Sequence, residues 1–228
     1  MSEDRKSHEI PRLDGVRRHP HVVEFLARAD DYLAALGYTE HGMRHASLVA
    51  HIAHNVLSRL GRSDEEAQLA AVAGYLHDLG NFIARENHAQ FAALLAYQIL
   101  RDLEYDAADC ATVMGAVGNH DEELGQVVDP VSAALILADK SDVHRSRVRD
   151  PSNAAVDIHD RVNYAAERSF LNVDDAAKSI TLELTIDTSI SGVMEYFEIF
   201  LSRMIMCRRA AERLGCGFQM QINELKIF

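Results

Sequence analysis

Ala73-Gly74-Tyr75-Leu76-His77-Asp78-Leu79-Gly80 is the stretch on which the reading of this chain turns. A run of small and apolar residues ends in an imidazole and a carboxylate side by side. Packing explains the pair poorly, because an ionised carboxylate is rarely buried without a partner and its desolvation is costly. A metal ion offsets that cost, so the neighbouring segments are the place to look for further ligands.

Those segments read as helices. From residue 20 to 142 apolar residues recur at three- and four-residue spacing, broken by Gly37, Gly61, Gly80, Gly118 and Gly125. The pattern predicts helices over 20–36, 43–60, 64–77, 87–101, 106–119 and 130–143. Ser63-Asp64-Glu65-Glu66 has the form of a capping box, and Asp129-Pro130 that of an N-cap followed by proline at the first helical position. Past Pro151 the period becomes two. Residues 168–173 and 179–187 alternate apolar and polar, as half-buried strands do, with Asp174-Asp175-Ala176-Ala177-Lys178 as their hairpin. A long amphipathic helix over 188–214, with Val193, Phe197, Phe200, Leu201 and Met204, is predicted to stop at Gly215. Residues 218–228 then alternate again, with a slip. The expected organisation is a polar, loosely ordered lead-in over 1–19, a helical domain over 20–150 and an α+β subdomain over 151–228. The fold class is mainly α with a small C-terminal β-β-α-β appendage. That appendage covers the core, builds a homodimer, or takes part in substrate recognition.

Lys and Arg number 23 against 35 Asp and Glu in 228 residues, a formal charge of −12. This balance argues against a nucleic-acid or anionic-membrane binder, which needs a basic footprint. It leaves room for a small anionic substrate held by a metal and a few local cations. No stretch approaches the ~20 apolar residues of a membrane span, and the first residues lack the apolar run of a signal peptide. Cys110, Cys207 and Cys216 follow no zinc-ligand spacing and read as reduced thiols. A cytoplasmic location is expected. Phosphate-binding glycine loops, a Gly-x-Ser-x-Gly elbow and a dinucleotide fingerprint are absent from the sequence, and Gly215-Cys216-Gly217 reads as a helix stop.

Polar residues interrupt the apolar stripes of several helices. His45 heads the row Leu48/Val49, Ile52, Val56, and His88 heads Ala92, Leu95, Ile99. His120 closes the row Val113, Val117, and Asp139 follows Val131, Leu135 and Ala138. A lone core histidine is ordinarily satisfied by a backbone carbonyl. Asp139, however, ends Ala133-Ala134-Leu135-Ile136-Leu137-Ala138, where an isolated carboxylate needs compensation. Imidazole nitrogens and carboxylate oxygens converging from several helices suit a transition-metal site. The remaining histidines read otherwise: His54 lies half a turn round from His45, His51 sits off the stripe, and His8, His19, His21 and His159 read as surface residues. His41, just ahead of its helix and near the mouth of the site, is also read as a surface residue.

The order His45 … His77-Asp78 … His88 … His120 … Asp139, ending in Leu137-Ala138-Asp139-Lys140-Ser141-Asp142, resembles the HD-domain superfamily of metal-dependent phosphohydrolases. The resemblance covers residues 40–147 and implies an HD-type helical bundle. It implies that His45, His77, Asp78 and Asp139 hold a first metal. His88 and His120 match the two additional histidines of the dinuclear branch, in which Asp78 bridges the ions. Two departures stand out. Asp121 follows His120, where some dinuclear members carry a second histidine, and Asn81 stands where many members have lysine.

The chemistry of such a site is water activation by one metal, or a clamp on hydroxide and phosphate oxygens by two metals about 3.5–4 Å apart. Manganese and iron suit the donor set foremost, with magnesium, cobalt, nickel and zinc also compatible. Asp78, Asp142 and Lys140 are the catalytic candidates, with Asp142 and Asp121 as ligand orienters or proton acceptors. Lys140, Arg145 and Arg147 either neutralise a substrate phosphate or complement the dipole of an exposed helix end. The expected function is phosphomonoester or phosphodiester hydrolysis of a nucleotide or other small phosphate ester. The alternatives are an HD-type di-iron oxygenase and a non-catalytic module for ligand binding or dimerisation. A complete set of inward ligands argues against the last.

Overall fold

The computed structural model describes residues 10–227, less the side chains of residues 153 and 155. Residues 1–9, with His8 and the start of the expected lead-in, and Phe228 lie outside it.

Helices α1 (Pro11–Arg18), α2 (Pro20–Ala35), α3 (Met43–Arg59), α4 (Asp64–Leu76), α5 (His88–Asp102), α6 (Ala107–Gly118) and α7 (Pro130–Lys140) form the bundle. Their ends follow local chemistry. Ser63 Oγ accepts the Glu66 N–H at 3.2 Å at the head of α4. Asp106 and Asp129 accept N–H groups of Asp109 and Ser132 at 2.8 and 2.7 Å at the heads of α6 and α7. α4 is the central helix, buried from Leu69 to Leu76 on every side. Gly74 makes this possible: a Cβ there would come within 2.9 Å of the Ala50 Cα, so only glycine lets α3 and α4 approach so closely. Gly80 does the same for the turn Leu79–Phe82, where a Cβ would meet the His88 carbonyl oxygen at 2.0 Å. These two glycines draw the segments bearing His45, His77–Asp78 and His88 together.

The second part comprises α8 (Ile158–Ala165), β1 (Ala166–Asp174), β2 (Ser179–Ile186), α9 (Val193–Arg213), β3 (Gly217–Ile222) and the short β4 (Leu225–Lys226). The sheet order is β1-β2-β3-β4. β1/β2 and β3/β4 are antiparallel, while β2/β3 is parallel with α9 as the crossover. Ile180, Leu182, Leu184 and Ile186 of β2 and Phe218, Met220 and Ile222 of β3 turn inward. α9 buries Tyr196, Phe200, Met204 and Cys207 and packs on α7, joining both parts in one apolar cluster.

The mainly-α architecture with a small α+β appendage is as expected, with four differences. Pro11–Arg18, within the expected lead-in, is a helix: Pro11 starts it, and Leu13 and Val16, one turn apart, are fully buried. α7 stops three residues early because the Ser141 hydroxyl folds back to donate to the Ala138 carbonyl at 2.7 Å. α9 starts five residues late because Asp187 turns the chain by accepting the Ser189 N–H and hydroxyl at 2.9 and 2.6 Å. α8 was not expected; Asp157 caps it through the His159 and Asp160 N–H groups at 2.8 and 3.0 Å. The slip in the last strand is the turn at Asn223 and Glu224 between β3 and β4. Among the described residues no helix is long and apolar enough to cross a membrane. The three cysteines are free and buried, and burial pushes the Cys207 thiol up to about 12.

Candidate metal centre

Each expected ligand sits where a helix begins or ends. His45 lies in the first turn of α3, His77 caps the C-terminus of α4 and Asp78 opens the following turn. His88 is the first residue of α5, preceded by Asn87 in the left-handed region (φ 59°), a conformation asparagine tolerates. His120 follows α6, and Asp139 is in the last turn of α7.

One ring nitrogen of each histidine is committed to an oxygen. The Nδ1–H groups of His77, His88 and His120 donate to the carbonyls of Gly74, Arg85 and Val117, three residues back, at 2.8, 3.0 and 2.7 Å. His45 Nδ1 donates to Asp142 Oδ2 at 2.7 Å. A carbonyl or carboxylate oxygen can only accept, so Nδ1 carries the proton and Nε2 presents a lone pair in the neutral ring. These Nε2 atoms face each other: His45 against His77 at 3.2 Å, and His88 against His120 at 3.3 Å. Lone pair against lone pair at that distance is repulsive unless a cation or proton lies between; at the second pair the Arg85 Nη1 also reaches His88 Nε2 at 3.3 Å.

The carboxylates complete the arrangement. Asp78 Oδ2 is 3.4 Å from His77 Nε2 and 3.8 Å from His45 Nε2, while Oδ1 is 3.5 and 3.9 Å from those of His88 and His120. One oxygen thus faces each imidazole pair, and Asn81 Nδ2 steadies Oδ1 at 2.8 Å. Asp139 Oδ1 lies 3.5 and 3.7 Å from His45 and His77. All of these groups except Asp139 are buried, and the triads His45–His77–Asp78, His77–His120–Asp139 and Asp78–His88–His120 each bring their donor atoms within 4.8 Å. The donor set therefore fits one or two divalent ions.

Electrostatics separates the imidazoles of the centre, keeping protons from His88 and His120 and favouring one on His77. Burial, with His77 and His88 nearby, holds His120 well below the ordinary imidazole value, and burial lowers His88. Burial also opposes a charge on His77, but Asp78 and Asp139 outweigh it and raise its pKa. Burial would raise both carboxyls; His77 beside Asp78 and Lys140 beside Asp139 keep them well below the usual range.

A cavity of about 890 Å³ opens over His88, with His41, Arg85, Asp121, His159 and Arg203 among its walls. His159, exposed as expected, and the half-buried His41 line it. Among the described residues Arg85 forms no salt bridge; its Nη1 donates to Asn81 Oδ1 at 3.2 Å and its guanidinium lies over the Tyr38 ring. Asp121, as expected, is near the ligands, 3.9 Å from His88 Nε2.

The expected phosphate-binding cations are placed differently. Arg145 leaves the site on the turn after α7 and pairs with Glu167 at 2.9 Å. Arg147 reaches the cavity, but its guanidinium is spent on the Asp142 carbonyl at 2.8 Å and the Glu40 carbonyl at 3.1–3.2 Å. Lys140 is buried, its Nζ held by Glu122 and Asp139 at 2.6 and 2.7 Å. Asp142 is only 2 % exposed, spends its carboxylate on His45 and Arg44, and does not line the cavity, so it orients His45. His54 is buried on the far side of α3 as expected, near Ser58, and His51 bonds the Ser47 carbonyl at 2.6 Å. His19, read as a surface residue, is half-buried, 3.6 Å from Asp102 and beside His21. Arg85, Glu122 and Arg203 were not singled out from the sequence. Arg85 carries a faint signal, three residues before His88 in the loop that follows His77-Asp78.

A family model described as HD domain matches residues 42–163. The chain is also similar to the uncharacterized protein MJ1020 of Methanocaldococcus jannaschii, 27% identical over 216 residues, covering 83% of this chain and 82% of that protein.

Proposed function

The chain belongs to the HD-domain family, a superfamily of metal-dependent phosphohydrolases, and on that premise we propose that it hydrolyses a small phosphate ester at a dinuclear centre. His45, His77, Asp78 and Asp139 would hold one ion, and His88, His120 and Asp78 the other. The observation that carries this reading is the pair of facing Nε2 contacts, 3.2 and 3.3 Å, with one oxygen of Asp78 turned to each pair. A pair of divalent ions bound there supplies Lewis acidity, acidifying water and neutralising phosphate oxygens during in-line displacement.

The residues of this chain do the rest. Asp78 ties the two halves, with Asn81 fixing its rotamer. Arg85, on the cavity wall and among the described residues without a carboxylate partner, is the cation we assign to a substrate phosphate, the role first expected of Lys140, Arg145 and Arg147. Asp121 lies on the same wall and is the group placed to accept a proton from water. The acidic balance of the chain favours a small substrate, a nucleotide among the candidates, over a nucleic acid.

The test is elemental analysis of purified protein, followed by a screen of nucleotides and other phosphate esters with added Mn²⁺ or Fe²⁺. Phosphate or alcohol release that disappears on chelation supports hydrolysis. The imidazole-rich donor set suits iron as well as manganese, so oxygen consumption is followed in the same wells. Oxygen uptake without phosphate release would move the assignment to a di-iron oxygenase.

A further inference from the structure

The appendage reaches the centre through a chain of alternating charges. Asp139 turns Oδ1 toward His45 and His77, while its Oδ2 is bound by Lys140 Nζ at 2.7 Å. The same ammonium is 2.6 Å from Glu122 Oε2, and Glu122 Oε1 accepts from Arg203 Nε at 3.0 Å. Arg203 belongs to α9, packs its guanidinium over Phe200 at 4.6 Å, and lines the cavity with it. The order from the centre outward is therefore −, +, −, +, across residues from α7, the loop after α6, and the appendage helix.

The physical consequence lies in what Lys140 does to Asp139. A buried ammonium on one carboxylate oxygen competes with a cation for the same ligand charge. Glu122 takes up part of that ammonium's charge, and Arg203 keeps Glu122 in place. Without Arg203, Glu122 keeps only its contact with Lys140 and loses the one that fixes its second oxygen, so its carboxylate can swing toward the cavity and leave more of the Lys140 charge to Asp139. We propose that Arg203 is a positioning residue for the metal centre, the means by which the appendage sets the strength of Asp139 as a ligand. This rests on the metal-centre reading above and extends it to a part of the chain outside the helical bundle.

Calorimetric titration with Mn²⁺ tests it, using the full chain. Arg203→Met should weaken one of the two binding events about tenfold, in the range usual for groups that orient ligands, and leave the other unchanged. Arg203→Lys should recover most of that loss. Glu122→Gln should weaken the same event, and adding Arg203→Met to it should cost nothing further, because the lever is already gone. Arg161→Met, which breaks the α8–α9 pair Arg161–Glu195 at 2.7 Å away from this chain of charges, should leave both events intact. Wild-type affinities in Arg203→Met would overturn the inference. So would equal loss of both events with no rescue by lysine, which is the signature of general loosening. If Arg203→Met does not fold, Glu122→Gln and Arg203→Lys decide: an unaffected Glu122→Gln overturns it. Wild-type protein that binds no Mn²⁺ at all would instead bring down the metal-centre reading, and this inference with it.

Discussion

In one half His45 leans on the carboxylate of Asp142, Asp139 on the ammonium of Lys140 and His77 on the Gly74 carbonyl, whereas in the other His88 and His120 lean on backbone carbonyls alone. His45 is fully buried, while His88 stands on the wall of the cavity. The difference separates two kinds of support. The Asp142 carboxylate raises the basicity of His45, the Lys140 ammonium draws on the charge of Asp139, and both tie the His45–His77 half to side chains that substitution can change. Carbonyl partners fix the tautomer and ring direction, and they belong to the backbone. Under the proposed function, the enclosed inner half would retain an ion and the outer half, on the cavity wall, would meet substrate.

Asp78 is common to both halves, and its loss gives the largest expected effect. Asp78→Ala should release both ions and lower kcat/KM by about three orders of magnitude or more, the several kcal/mol that metal catalysis supplies. Metal content and initial rates measure it, and a variant that keeps either ion would refute the shared role. His88→Ala should be smaller and one-sided. Metal content should fall from two ions to one, with the inner ion kept; an unchanged count would mean a single-ion centre. Asp142→Asn should be smaller again, weakening the inner ion about 10–100-fold while sparing the outer one. Equal weakening of both would erase the distinction between the halves.

Periodicity made much of this legible. His45, His88, His120 and Asp139 each fall on the apolar row of a helix, so a 3.6-residue repeat exposes them as polar groups aimed at the core. The strands β1 and β2 follow equally from alternation. What periodicity does not encode is where a long side chain ends. Lys140, Arg145 and Arg147 are neighbours in sequence, yet one is buried between carboxylates, one turns away to Glu167 and one is spent on carbonyls. The contact of Arg203 with Glu122 spans 81 residues and joins two parts of the chain that read as separate. The short helices α1 and α8 escaped because each shows about two turns of pattern, too few to stand out.

The smallest effect expected is on stability against pH in chelator-treated protein. An unfolded histidine titrates near 6.5. His41, His88 and His120 are depressed in the fold, chiefly by burial, so the folded state resists protons that the unfolded state takes up below about pH 6.5. Their effect is a loss of stability as pH falls. His77 is raised and acts oppositely: its contribution is full below about 6.5 and fades as pH rises through its folded value. Asp78 and Asp139, both depressed, add to the loss only below about pH 4. Three depressed histidines outweigh one raised, so the urea midpoint should be lower at about pH 5.5 than at about pH 7.5. A higher midpoint in acid would contradict the proton exclusion assigned to these rings.

The central claim is that two ions sit on either side of Asp78. A crystal grown with Mn²⁺ and measured at the manganese absorption edge answers it directly. The account predicts two anomalous-difference peaks, one among His45, His77 and Asp139 and one between His88 and His120, each beside an oxygen of Asp78. A map with one peak or none at these residues, or with ions bound only elsewhere, would contradict it.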